Sequence, residues 1–333
     1  DPNLEHQMRW RRDVIAATGQ DWFVLPVCYS REERENLIVR TFAGHKYLVD
    51  RRTGQRKRLN KPRIGGWTAS GESESVRPKH LVQSFNEIDA LIPEPPAFCR
   101  QAFIAEGKAD LAMRLLREYG QALFPIHHVS APLWSCYSLW GFEGMMTMIA
   151  ERPDLVEYVC QRSLKQSSHI VQRAAALGAA GIWIEDCMTD MISPAAFARL
   201  NVTFLRPLVD EIRALGMRSI YYFCGDPTGK WEQLLAVGAD ALSLEESKKG
   251  FSIDIEDVVE RVQGRCVVLG NLDAIHLLET GSENDLRAEI ARQIAAGRRN
   301  GSRFIMSIGS PVTPGTSVGR VRLYCDLVHE LGR

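Results

Sequence analysis

No stretch of the chain approaches the ~20 consecutive apolar residues that a membrane-spanning helix needs. The opening "DPNLEHQMRWRRDV" also lacks the apolar core of a secretion signal. A cytoplasmic protein with no membrane partner is therefore expected. Net charge is missing as well: Lys+Arg and Asp+Glu both number 41, so no overall basic field exists to attract nucleic acid or anionic lipid. A small molecule or another protein is the expected partner. Nor is there a CxxC pair. The eight cysteines (Cys28, Cys99, Cys136, Cys160, Cys187, Cys224, Cys266 and Cys325) are scattered, which argues for reduced thiols, most of them core fillers, rather than a disulfide framework. No internal repeat of about 20–50 residues is evident.

What the chain does have is length and alternation. Its 333 residues with 45% hydrophobic content suffice for a sizeable core. Beyond residue 120 or so, short β-branched or aromatic runs alternate with segments of helical length. The runs are "LFPIHHVS" (123–130), "GIWIED" (181–186), "SIYYFCG" (219–225), "ALSLEE" (241–246), "CVVLGNLD" (266–273) and "FIMSIGS" (304–310). Ser193-Pro194 reads as a cap and first-turn proline opening one of the helices. With "WFVLPVC" (22–28) as an earlier strand, seven strands are visible. An eighth is expected within residues 100–120 or lost in an irregular loop. The pattern predicts a single (β/α)8 TIM barrel over residues 1–333 in preference to a doubly wound sheet.

Residues 29–100 break the pattern and read as an insertion, a cover over the site. "HKYLVDRRTGQRKRL" predicts a hairpin turning at Thr53-Gly54, with Arg51, Arg52, Arg56, Lys57 and Arg58 as a solvated face. "IGGWTASGESES" (64–75) predicts a Gly/Ser-rich loop, and "LIPEPPAF" a proline-rich connection.

In a parallel barrel the strand C-termini converge on one face, where chemistry sits. The residues there are His127, His128, Ser130 and Trp134; Glu185, Asp186 and Cys187; Tyr222, Cys224 and Asp226; Glu245 and Glu246; Asn271 and Asp273; Ser307 and Ser310. Strand alternation sends only one of His127 and His128 into the barrel. Of Glu245 and Glu246, one is expected in the site, the other as a cap or a partner of Lys248 or Lys249. Cys224 alone is open to three readings: a zinc ligand, a nucleophile without a local His base, or an inert thiol.

From residue 120 or so onward the chain resembles the uroporphyrinogen decarboxylase superfamily. The features are "GIWIEDCMTDMISPAAFARL"; "YYFCGD" in place of a His-x-Cys-Gly signature; "VVLGNLDAIHLLETGSENDL"; and "SIGSPVTPGTSVGRV" as the closing loop, with "VSAPLW" and "GFEGMM" also in place. The decarboxylase's arginine-bearing "MRQAGR"-type segment is absent. "RWRRDVIAATGQDWFVLPV" looks more like the opening of the corrinoid-linked methyltransferase branch.

The resemblance implies a methyltransferase that demethylates a small methoxylated, aromatic or methylamine-like donor and passes the methyl group to cobalamin on a partner corrinoid protein. This chain itself shows no Asp-x-His-x-x-Gly cobalamin pattern. Zinc in that branch is held at positions matching Tyr222, Cys224, Ser310 and Glu245, so here two of the three principal ligand types are replaced, leaving Cys224 and Glu245 as metal candidates. Either His127, His128, Glu185 or Asp186 rebuilds the site, or the metal is lost and Glu185, Asp186, Tyr222 and Glu245 handle protons, Tyr222 donating to a leaving oxygen. His127, His128, Trp134, Trp183, Asn271 and Ser310 are the expected substrate contacts. The alternatives are a decarboxylase-like lyase acting on a small carboxylated substrate without corrinoid, and a catalytically silent barrel. The oligomeric state is left open, a homodimer included.

Overall fold

The structure, a computed structural model, describes residues 1–60, 76–78, 81–247 and 250–333. The Gly/Ser-rich stretch 64–75 and the pair Lys248 and Lys249 lie outside the described residues. The strands in chain order are β1 (Trp22–Val24), β2 (Leu37–Phe42), β3 (His45–Asp50), β4 (Arg56–Arg58), β5 (Phe124–Ser130), β6 (Gly181–Asp186), β7 (Arg218–Phe223), β8 (Ala241–Leu244), β9 (Val267–Leu269) and β10 (Phe304–Ile305). Seven of them form one parallel sheet in the order β1-β5-β6-β7-β8-β9-β10. Helices connect its strands from β5 onward, and the sheet curls as in a TIM-like α/β barrel. Among the described residues no helix is long and apolar enough to cross a membrane.

The expected eighth strand does not form within residues 100–120. That stretch folds as the helices Arg100–Ala105 and Asp110–Tyr119, the second burying Leu111, Ala112 and Leu115 on one face. The spacing is helical, and β1 pairs directly with β5 (Trp22↔Phe124, Val24↔Ile126), leaving no strand between them.

Strand pleating sorts the side chains into two layers. Ile182 and Ile184 of β6, Tyr221 and Phe223 of β7, and Leu242 and Leu244 of β8 point outward into the main core under the helices, all at most 3% exposed. At roughly 1.5–3 kcal/mol per buried large apolar side chain, this layer fixes the register, because a one-residue slip would turn every one of these groups into the barrel. The inner layer is a smaller cluster of Ile220, Ala241 and Leu269 with Trp22, Trp183 and Val267 packed on it. Helix Pro153–Leu177 is tied to the end of β5 by Ser167, whose hydroxyl donates to the Ser130 carbonyl at 3.1 Å.

The hairpin forms where the sequence placed it, and a third strand, β2, pairs on its other side. Asp50 Oδ1 accepts the N–H groups of Arg52 and Thr53, and Gly54 takes φ 71°, which closes the turn. All three residues of β4 are exposed, and Arg56 lies over the Phe42 ring at 4.4 Å, as befits a solvated face.

Candidate active site

Register carries the inward side chains of adjacent strands side by side toward the strand C-termini. His128 pairs with Trp183, Glu185 with Tyr222, and Tyr222 with Ser243. The result is an aromatic wall. Trp183 stacks on Tyr222 with ring centroids 5.2 Å apart, meets Trp22 edge-on at 5.8 Å and lies beside His128 at 6.1 Å. A cavity of about 180 Å³ opens against Trp22, Val24, Ile126, His128 and Trp183. Loss of water around the His128 ring, and to a lesser degree the neighbouring His127, lowers its pKa, so it is neutral at pH 7.

Glu185 stands one inward step above Trp183. Half-buried, its carboxyl makes no hydrogen bond or ion pair with any described residue, and burial alone raises its pKa. Tyr222 is 7% exposed and donates its hydroxyl to the Gly309 carbonyl at 3.2 Å. Burial, followed by the nearby Cys224, Glu245, Cys187 and Glu246, pushes the phenol well above its usual range. The Tyr222 proton thus goes to the closing loop in this structure, not to an open space above the ring. Gly309 lets that loop lie down: a Cβ there would meet the Glu246 backbone nitrogen at 2.2 Å. Both Glu245 and Glu246 are 3% exposed and both act on Tyr222. β8 ends at Leu244, so the pleat no longer parts them.

Other expected site residues are turned elsewhere. Asp186 points outward and is fully buried; its Oδ2 accepts from Tyr221 Oη and Asn201 Nδ2, both at 2.6 Å, and its Oδ1 from Thr189 at 3.1 Å. Burial raises it to about 6 against the pull of those three donors. Asn201 reaches it from a π-helical turn, Ala198–Val202. His127 also faces outward, its Nδ1 2.7 Å from the Leu25 carbonyl. A carbonyl only accepts, so Nδ1 carries the proton, and burial lowers the ring's pKa. Asn271 is a brace: Nδ2 donates to the Glu245 and Ile253 carbonyls, and its N–H to Gln293. Trp134 packs against the main core, with its Nε1 buried and lacking a hydrogen-bond partner among the described residues. Ser310 follows Gly309 in the closing loop.

The feature that sequence reasoning missed is the neighbour of Cys224. Cys187 and Cys224 each stand one residue beyond the paired ends of β6 and β7, which makes their thiols neighbours. The neighbouring Cys224 thiol first, then burial, raises the Cys187 thiol far above its ordinary value, so it is not a thiolate at neutral pH. Parallel register was the signal available: Asp186 pairs with Phe223, and the next pair is the two cysteines. Met188, directly after Cys187, takes φ 63°, an uncommon conformation for such a side chain.

The zinc expectation fails a fit test. Among the described residues no three His, Cys, Asp or Glu side chains converge as a metal group. His127 and Asp186 are on the far side of the sheet, a phenol stands for the imidazole, and the neighbour of Cys224 is a protonated thiol. A site of Cys224 and Glu245 falls short of the four donors a structural zinc takes, or the three of a catalytic one.

Comparison with known proteins agrees with this fold. The uroporphyrinogen decarboxylase (URO-D) family model matches residues 71–331. The uroporphyrinogen decarboxylase of Neisseria meningitidis serogroup C is 27% identical over 207 residues, covering 60% of this chain and 56% of that protein. The chain thus spans little more than half the length of that curated relative. The uroporphyrinogen decarboxylase of Pseudomonas aeruginosa strain LESB58 is 25% identical over 269 residues, 78% of this chain and 72% of that protein. Among solved structures, a methyltransferase from Methanosarcina mazei superposes with a TM-score of 0.60 at 16% identity, covering 95% of this chain and 82% of that one, a likeness of fold. With most of its length matched by the family model, the chain belongs to the uroporphyrinogen decarboxylase family.

Proposed function

We propose that this enzyme removes a methyl group from a small methoxylated aromatic compound and passes it to a corrinoid carried by a partner protein. One observation carries the reading: Glu185, half-buried and without a partner among the described residues, stands over the wall of Trp183 and Tyr222. An aryl ether oxygen is a poor leaving group unless it is protonated or otherwise stabilised as the methyl departs. A carboxyl with a raised pKa is a proton donor suited to that task. The stacked rings supply a flat apolar surface for the substrate, and burial first, then the neighbouring Cys224 and Glu245, keeps the Tyr222 phenol in its neutral form. When docked, the corrinoid would supply cobalt as the methyl acceptor. Its protein would approach over the mouth, where Met188 and Met191 stand 37% and 68% exposed.

The front end supports this branch. The family match begins at residue 71, so "RWRRDVIAATGQDWFVLPV" lies outside it, and no arginine-bearing decarboxylase segment stands there. A second reading, decarboxylation of a small carboxylated substrate, is favoured by the names of the curated relatives. The two separate in one assay with cobalt(I) cobalamin and a panel of methoxyphenols, following the corrinoid absorbance and the phenol released. The proposal expects phenol release that falls by about 100-fold in kcat for Glu185→Gln with little change in KM, as loss of a general acid does. Carbon dioxide release from carboxylated substrates, with no demethylation, would establish the second reading instead.

A further inference from the structure

A second cavity, of about 720 Å³, lies outside the sheet, between the chain that follows β1, the helix Arg100–Ala105 and the helix Pro153–Leu177. β5 separates it from the mouth: His127, on the outer face of that strand, feels the charge of Arg173, which lines the cavity. Phe98, Phe103 and His169 give the cavity an aromatic side, with Phe98 5.6 Å from Phe103 and 5.7 Å from His169. Its charges are largely accounted for within the protein. Glu106 pairs with Lys108 at 2.5 Å, and Glu33 completes the cap of Ser30.

Arg173 is the exception. It makes no hydrogen bond or ion pair with any described residue, its one contact of note being the Phe103 ring 6.0 Å from its guanidinium. Half-buried, it has lost water without gaining a counter-charge, and its pKa is lowered accordingly. An arginine in this state presents a donor fork that no carboxylate of the described residues fills, and a carboxylate is the group its planar geometry fits in bidentate fashion. Among the described residues that line the cavity, one unpaired side-chain cation beside aromatic rings suits a monoanion with a flat apolar body better than a phosphate. The volume lies within the range of small-molecule sites.

We propose that this cavity is a second binding site, for a small aromatic carboxylate anchored by the guanidinium of Arg173. The test uses the full chain and isothermal titration with 2-naphthoate and its neutral counterpart 2-naphthamide. Naphthoate is expected to bind at least about tenfold more tightly than the amide. That preference should vanish in Arg173→Gln and survive in part in Arg173→Lys. Ala102→Trp, at an exposed helix position on the cavity wall, should weaken both probes by filling the space. Glu185→Gln, on the other side of the sheet, should leave naphthoate binding unchanged. Equal affinity for the two probes, naphthoate binding that survives Arg173→Gln or disappears in Glu185→Gln, or no binding at millimolar concentration would each overturn the proposal. Circular dichroism of every variant separates lost binding from lost fold.

Discussion

Glu185 and Asp186 are adjacent and carry the same chemical group, yet the pleat of β6 sends them into different surroundings. Asp186 is held by three donors and serves the packing of Tyr221 and Asn201. Glu185 is offered none among the described residues and faces the aromatic wall. The division of labour between neighbours was legible in the sequence to the extent that alternation allows one of two adjacent residues into the barrel. Which of the two faced inward depended on the register with β5 and β7, a property of three strands together. The same rule places His128 inside and His127 outside. At this scale the aromatic wall makes its own prediction. Trp183→Ala removes the ring stacked on Tyr222 at 5.2 Å. A stacking contribution of roughly 0.5–1.5 kcal/mol then appears as an increase of up to about tenfold in KM for methoxyphenols, read from steady-state kinetics, with kcat less affected.

At the scale of elements, β6, β7 and the π-helical turn Ala198–Val202 meet at a buried carboxylate, and that junction has a pH signature. Asp186 is raised from 3.8 to about 6 in the fold, so the native state holds its proton more firmly than the unfolded chain. A group of this sign contributes stability that is present below about pH 4 and is lost as pH rises to about 6, a difference of roughly 3 kcal/mol. Urea unfolding of the wild type should show that decline relative to Asp186→Asn, which has no proton to lose; parallel pH profiles would rule out the assigned burial. Elements also explain where sequence reasoning stopped. "GIWIED" coincides with β6 because its alternating burial is locally encoded. The supposed strand within residues 100–120 was inferred from a count of eight, whereas the helical spacing of Leu111 and Leu115 was there to be read. β2 was missed because its burial pattern is set by pairing with β3 and not by a core of its own.

The molecule as a whole is a parallel barrel sheet whose outer layer holds the register and whose inner layer presents aromatic and acidic groups at one end. The family was legible because its signatures sit at strand ends, where geometry constrains residue type. The metal expectation came from the same signatures, and the described residues do not bring together the donor set it needs. The thiol beside Cys224 is that of Cys187, and no third donor joins them as a metal group among the described residues. The chemistry proposed for the mouth is proton transfer from Glu185, an acid whose pKa is raised by burial. The most direct test of that claim is an infrared titration of the Glu185 carboxyl, taken as the difference between wild type and Glu185→Gln. The account predicts a carboxylic acid band that persists above the usual glutamate range of about 4.3. A carboxylate ionised at an ordinary glutamate pKa would contradict it.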